Sequence, residues 1–275
     1  MLSYRHAFHA GNFADVLKHH VLVHVLNYMN RKDKPYVYVD THSGAGVYSL
    51  RSANAGKNRE YENGIGRLLQ SDSVALKPYL NVVNATSQFG PDLYPGSPEI
   101  ARQLLREQDR GFLYELHPSD SVILADHFAA DRRFRIEQTD GFRGLLAHMP
   151  PQQRRGVVLM DPPYEIKTDY EQVVNAMLKA HKRFSTGTFM IWYPVVERSR
   201  IDAMEKAIMT SGIPRVQLFE LGLSPDTEER GMTSSGMIVV NPPFTLKAEM
   251  DSLLPWLSRH LSDEGCWRSI ELAGE

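Results

Sequence analysis

Residues 157–165 read VVLMDPPYE, an apolar run closed by Asp161, two prolines and Tyr164. Such a corner suits one particular chemistry. An exocyclic aromatic amine, such as adenine N6, is a poor nucleophile because its lone pair is delocalised into the ring. A carboxylate and a backbone carbonyl that accept its two N–H bonds draw the nitrogen toward tetrahedral geometry and aim the lone pair at an electrophilic methyl. Asp161 supplies the carboxylate and Pro162 the carbonyl, while the paired prolines fix φ and stiffen the turn. Tyr164 offers a ring on which a base can stack, worth about 1–3 kcal/mol against a flipping cost of a few kcal/mol. The bland alternative is a Pro-terminated strand with an incidental acid. The chain carries a comparison for it, because residues 236–244, GMIVVNPPF, repeat the pattern with Asn241 and Phe244 in place of the acid and the tyrosine. Lacking both charge and hydroxyl, the second corner reads as a strand terminator.

Acids recur at other strand ends. Asp40, Thr41 and His42 lead into Gly44 and Gly46 in DTHSGAG, Glu115 follows GFLY, and Asp140–Gly141 follows RFRIEQT. In an open parallel sheet, ligands lie beyond the carboxyl ends of the strands, where strand order reverses. Glu115 is placed to accept from ribose hydroxyls, as an acid does at the end of the second strand of dinucleotide folds. The Gly loop lacks the full G-x-G-x-x-G spacing and is a weak signal alone. Asp140 also fits a simple helix N-cap. Ser97 is a candidate N-cap with Pro98 at the first helical position, which would turn a positive helix end and a hydroxyl toward the ligand. Lys18 or His19, on an early helix, could pair with a carboxylate of a cofactor. Eleven histidines include no H-E-x-x-H or similar spacing, so no metal site is expected.

The elements that must position these residues alternate. NFADVLKHHVLVHVLNYMN has helical spacing behind an Asn12 N-cap. A strand at about 36–39 runs into the Gly loop. Residues 52–93 then turn polar and moderately helical in EYENGIGRLLQ and LKPYLNVVNATSQF, which reads as an inserted helical subdomain. Strands follow at GFLYEL, RFRIEQ, RGVVLM and GTFMIWYP with helices between, the rhythm of a parallel sheet. No helix separates RVQLFEL from GMIVVN across the Gly/Ser/Thr loop around Arg230 to Ser235, so the last strand should run antiparallel. The expectation is a Rossmann-like α/β domain formed by residues 1–51 and 94–275, with a seven-stranded sheet and an insertion at 52–93.

Composition sets the bounds. The chain has 275 residues, 42% hydrophobic and 23% charged, which excludes fibrous and low-complexity classes. Cys266 is the lone cysteine, so no intramolecular disulfide or Cys-rich zinc module forms, and a reducing, cytoplasmic setting follows. No apolar run approaches a membrane span. A net charge of -2 argues against indiscriminate nucleic-acid binding but leaves room for a local basic face.

The Gly loop followed by DPPY resembles class I methyltransferases that use S-adenosylmethionine to methylate amino groups. MLSYRHAFHAGNFADVLKH, DTHSGAG, YPGSP, ELHPSD, DGF, DPPYE and RGMTSSGMIVVNPP together resemble the bacterial large-subunit ribosomal RNA adenine-N6 methyltransferase J family over essentially the whole chain. The resemblance implies S-adenosylmethionine as cofactor, 23S ribosomal RNA as partner and adenine 2030 as target. It implies cofactor contacts from Lys18 or His19, His42, Ser97, Glu115, Asp140, Gly141 and Asp161. It also implies Asp161 as the residue that holds the amine, and an RNA contact from Tyr4 in the N-terminal arm. A monomer is expected. Two other readings use the same residues: a DNA adenine-N6 methyltransferase, and a non-catalytic RNA-binding protein on a methyltransferase core.

Overall fold

The computed structural model describes residues 6–52, 55–226 and 231–274. Tyr4 and Arg230 therefore lie outside the described residues. After a 3-10 turn at His6–Phe8 comes α1 (Phe13–Asn30), capped by Asn12, whose side chain accepts from the Asp15 N–H. Every residue of α1 from Phe13 to Val23 is buried, as befits a helix enclosed on all sides rather than lying on a surface.

Strand β1 (Val37–Asp40) leads through the Gly loop to β2 (Val47–Ser49). The short α2 (Ala55–Asn58), two 3-10 turns and α3 (Lys77–Ser87) come next, then β3 (Leu93–Pro95) and α4 (Ser97–Leu104). The alternating part consists of β4 (Arg110–Tyr114), α5 (Pro118–Phe128), β5 (Phe134–Glu137), α6 (Gly141–Ala147), β6 (Gly156–Met160), α7 (Asp169–Arg183), β7 (Thr188–Val195) and α8 (Arg198–Thr210). It ends with β8 (Val216–Gly222), β9 (Ser234–Val240), α9 (Leu246–Leu261) and β10 (Cys266–Ala273).

The main sheet has the order β10-β8-β9-β7-β6-β1-β4-β5. Strands β5, β4, β1, β6 and β7 are mutually parallel, and β9 runs antiparallel to both β7 and β8. The antiparallel strand stands where the missing helix required it. The seven-stranded expectation is corrected to eight, because β10 adds antiparallel to β8 along its outer edge. Strand β10 is a half-exposed edge without clean alternation, and Trp267 is 44% exposed, so the two-residue period that marks a strand is weak there.

Side chains alternate across the sheet. Val157 and Leu159 point into the core shared with α1, α4, α5 and α9, whereas Val158 and Met160 point into the core of α7 and α8. All four are fully buried, at about 1.5–3 kcal/mol for each large side chain removed from water. Strand β1 lies between β4 and β6, so the order reverses beside it and opens a crevice at the ends of β1 and β6. The 52–93 stretch proves less helical than its pattern suggests: EYENGIGRLLQ forms 3-10 turns at Glu60–Asn63 and Ile65–Arg67, interrupted at Gly64.

Candidate active site

One cavity beyond the carboxyl ends of these strands is lined by Lys18, His19, His42, Ser97, Glu115, Asp140, Gly141, Asp161 and Pro162. Nine residues expected from sequence to serve cofactor or substrate thus share a single site. Tyr164 does not line it. Its hydroxyl donates to the Trp192 carbonyl at 2.5 Å, and its ring packs against Tyr170 and Trp192. Tyr164 has φ of 52°, in the left-handed region, and its ring has a structural task the sequence did not reveal.

Strand β1 ends in a carboxylate turned inward. Asp40 is fully buried, and its Oδ2 accepts from the Tyr38 hydroxyl at 2.8 Å and the Ser97 hydroxyl at 2.7 Å. Burial pushes its pKa up to about 6 against those donors. The expected N-cap role of Ser97 is corrected: Gly96 caps α4, and Ser97 is its first helical residue, bonded to Asp40. This bond ties the start of α4 to the Gly loop across the intervening insertion.

In the loop, Gly44 and Gly46 have φ of 60° and 84°, the left-handed region that favours glycine. A Cβ on Gly44 would also lie 2.1 Å from the Tyr48 hydroxyl oxygen. The Gly44 N–H donates to Glu115 Oε2 at 2.6 Å, and the His117 N–H donates to Oε1 at 2.6 Å. Burial raises the Glu115 pKa, and these two N–H bonds oppose it. Asp140 caps α6 by accepting from the Phe142 and Arg143 N–H groups. Gly141 is packed so closely on β1 that a Cβ would sit 1.9 Å from the Thr41 carbonyl oxygen. His42 bonds Thr41 Oγ1 at 2.8 Å and meets Phe142 edge-on. Burial lowers its pKa to about 4, so it is neutral at pH 7.

Asp161 is reached from α1. Lys18 Nζ donates to Asp161 Oδ2 at 2.6 Å and lies 3.0 Å from Asp15 Oδ1, with its side chain 5% exposed. Burial works to lower the Lys18 pKa, but the Asp15 and Asp161 carboxylates outweigh it and raise the pKa. The ammonium also lies 5.6 Å from the centre of the Trp192 ring. Asp15 in turn accepts from the Gly11 N–H at 2.9 Å and bonds His6 Nε2 at 2.9 Å. Sequence reasoning missed Asp15; the signal was its spacing, since residues 15, 18 and 19 share one face of a helix.

His19 is fully buried, and its Nδ1 bonds the Tyr94 hydroxyl at 2.8 Å. Burial drops its pKa to about 3. Its Nε2 lies 3.7 Å from Asp15 Oδ1 and has no hydrogen-bond partner although the residue lines the cavity, so a bound polar group could pair with it. His6, Tyr48, Phe142 and Gln172 also line the cavity and were not singled out from sequence. Among the described residues, no group of three or more His, Cys, Asp or Glu could hold a metal ion, and no helix is long and apolar enough to cross a membrane.

A mostly parallel sheet with an antiparallel strand, β9, inserted between β7 and β8, and an acid-lined crevice at the β1–β6 switch, defines a class I methyltransferase. The family model described as "Ribosomal RNA large subunit methyltransferase D, RlmJ" matches residues 33–271, and the chain belongs to that family. It is 50% identical over 268 residues to ribosomal RNA large subunit methyltransferase J of Escherichia coli (strain K12), covering 96% of each chain. It is 47% identical to the protein of the same name from Haemophilus influenzae, again covering 96% of each. A crystal structure of a Legionella pneumophila protein superposes with a TM-score of 0.88 at 34% identity, covering 96% of this chain and 98% of that one.

Proposed function

We propose that this chain methylates the N6 amine of a flipped adenine in 23S ribosomal RNA, adenine 2030 in the numbering the family resemblance implies, with S-adenosylmethionine as methyl donor. The observation that carries this reading is Asp161, fixed by a buried ammonium at the mouth of the cofactor-type crevice. The names of the relatives, both large-subunit ribosomal RNA methyltransferases, support the RNA substrate.

The residues present fit the cofactor. Glu115 would take the ribose hydroxyls, Asp140 and Gly141 the adenine side, and the unpartnered His19 Nε2 the amino-acid end, with His42 and Ser97 closing the walls. When bound, S-adenosylmethionine supplies an electrophilic methyl on a sulfonium. Lys18 engages Asp161 through Oδ2, so Oδ1 is assigned to the target amine. That carboxylate oxygen accepts one N–H, the Pro162 carbonyl accepts the other, and the amine lone pair is directed at the methyl. Asp15 acts behind Lys18 as a positioning residue, holding the ammonium where it fixes the Asp161 rotamer. In this reading Tyr4 contacts the RNA and Tyr164 backs the DPPY corner. Residues 52–93 form the inserted subdomain, whose base is closed by the antiparallel pairing of β2 with β3. The protein works as a cytoplasmic monomer.

Mass spectrometry of 23S ribosomal RNA from a strain lacking the gene tests the reading. N6-methyladenosine at the site should disappear and return on complementation. Undiminished modification would refute it.

A further inference from the structure

A second cleft lies along α1 on its way from Lys18 to the far end of the sheet. It is walled by Val23, Tyr28, Val74 and Pro78, with His20, His24 and Glu249 at one end and Arg31 at the other. No part of the chemistry above uses it. His20 is 2% exposed, lines the cleft and has no hydrogen-bond partner on Nδ1. Its Nε2 lies 3.4 Å from Glu249 Oε1, and His24 Nδ1 lies 3.7 Å from the same oxygen. The two nearby imidazoles pull the Glu249 pKa down to about 2, so this end presents an ionised acceptor. From His24 to Arg31 is seven residues, about 10 Å of helix. The exposed Arg31 guanidinium lies 5.4 Å from the centre of the Tyr28 ring, and Phe244, 77% exposed, meets Tyr28 edge-on at 5.7 Å.

The cleft is thus polarised: a carboxylate with imidazoles, then apolar and aromatic walls, then a cation. A nucleotide has the matching order of base amino or imino N–H, flat ring and phosphate. More positive charge surrounds the Arg31 end. Lys32 and Lys34 are exposed beside it, and Arg106 and Arg155 both donate to the Lys34 carbonyl. Asp109 is tied to Arg106, while Asp33 is fully exposed nearby. With a net charge of -2, the protein cannot hold RNA by overall attraction and must do so through local sites.

We propose that this cleft binds one unpaired nucleotide of the RNA substrate away from the target adenine, with its base against Tyr28, its phosphate on Arg31, and the exposed Phe244, which packs on Tyr28 outside the cleft lining, covering the base from the rim. The inference rests on the ribosomal RNA reading above and adds a second grip on the same strand. Helix α1 then links the two grips: Lys18 serves the reacting site, and about 20 Å further along Arg31 serves the anchor.

The test uses the full chain with a 23S ribosomal RNA fragment that the wild type methylates. Phe244→Ala and Arg31→Glu alter exposed side chains, and thermal melting checks that both variants fold like the wild type. Each should raise KM for the RNA about 10-fold, leaving kcat at saturating RNA and S-adenosylmethionine affinity unchanged. Arg31→Glu should also lower the slope of affinity against salt by about one phosphate contact. Photo-cross-linking of 4-thiouridine-labelled RNA should map to peptides containing Tyr28 or Phe244. Wild-type KM in both variants together with no such cross-link overturns the cleft assignment and leaves the enzyme reading intact. A wild type that methylates no 23S fragment overturns both. If Phe244→Ala alone lowers the melting temperature, Arg31→Glu and the cross-link decide.

Discussion

The corners at 161–164 and 241–244 share a backbone recipe: a fully buried strand, a polar residue, two prolines and an aromatic ring. Strand β6 is parallel to β1 and delivers Asp161 to the crevice, where Lys18 meets it. Strand β9 is antiparallel, so Asn241 emerges at the opposite end of the sheet. There its side-chain amide donates to the Ser185 and Gly187 carbonyls, and its Oδ1 accepts from Arg215. Strand direction, rather than local sequence, separates the two. One polar residue is held by a long-range ion pair that leaves an acceptor for a substrate, and the other spends its hydrogen bonds on neighbouring loops.

The sharpest way to break this contrast is to remove each polar side chain. Asp161→Ala should cut methyl transfer roughly 100-fold or more while S-adenosylmethionine binding, followed by calorimetry, stays within a few-fold. Asn241→Ala should leave kcat unchanged. Equal activity losses in the two variants would erase the distinction.

Behind Asp161 the contrast extends to α1. Asp15→Asn keeps the volume but takes away one of the two carboxylates holding Lys18. We expect kcat to fall about 10-fold or more with KM for RNA nearly constant, since the reacting group is misplaced while the binding surfaces stay. A KM effect without a kcat effect would move Asp15 out of the positioning role.

How much of this could be read beforehand follows from the range of the interactions. Strands β1 and β6 were visible because each is a short, fully buried apolar run, and Asp40 and Asp161 because they close those runs. The two proline corners read differently because Asn241 and Phe244 lack the charge and hydroxyl of the first, and because the missing helix before β9 implied its reversed direction. Strand β10 was not legible, since a half-exposed edge lacks the alternation that marks a strand. Nor was the assignment of Ser97 to Asp40, a bond across 57 positions of chain, or of Tyr164 to Trp192, across 28. Asp15 is a first-turn acid of α1, a common feature of helices. Only the fold shows it buried beside Lys18.

At the second corner the expected effect is on stability. Asn241 has φ of 50°, which asparagine tolerates better than most residues, and its amide satisfies two carbonyls. Asn241→Ala loses those bonds and strains the backbone, at a cost of about 2–3 kcal/mol read from urea unfolding. Asn241→Gly relieves the strain and should recover about 1 kcal/mol of it. A neutral result for both would mean that the corner needs only its prolines.

The smallest effect should appear in pH dependence, because buried titratable groups collect around the first corner. His42 has its folded pKa depressed to about 4 by burial, against an ordinary 6.5. Between those values the unfolded chain binds a proton that the folded chain does not, so the stabilising contribution is present above about pH 6.5 and declines as pH falls toward 4. Asp40 acts oppositely: its folded pKa, raised to about 6, contributes stability below its ordinary 3.8 that is lost as pH rises through 6. Between pH 7 and 5, His42 should therefore account for roughly 1–2 kcal/mol of lost stability, partly offset by Asp40. Unfolding free energies of His42→Gln at the two pH values should show a drop smaller than that of the wild type by that amount. The Asn241 variants should show the wild-type drop, because Asn241 and the prolines and ring that follow it carry no titratable side chain.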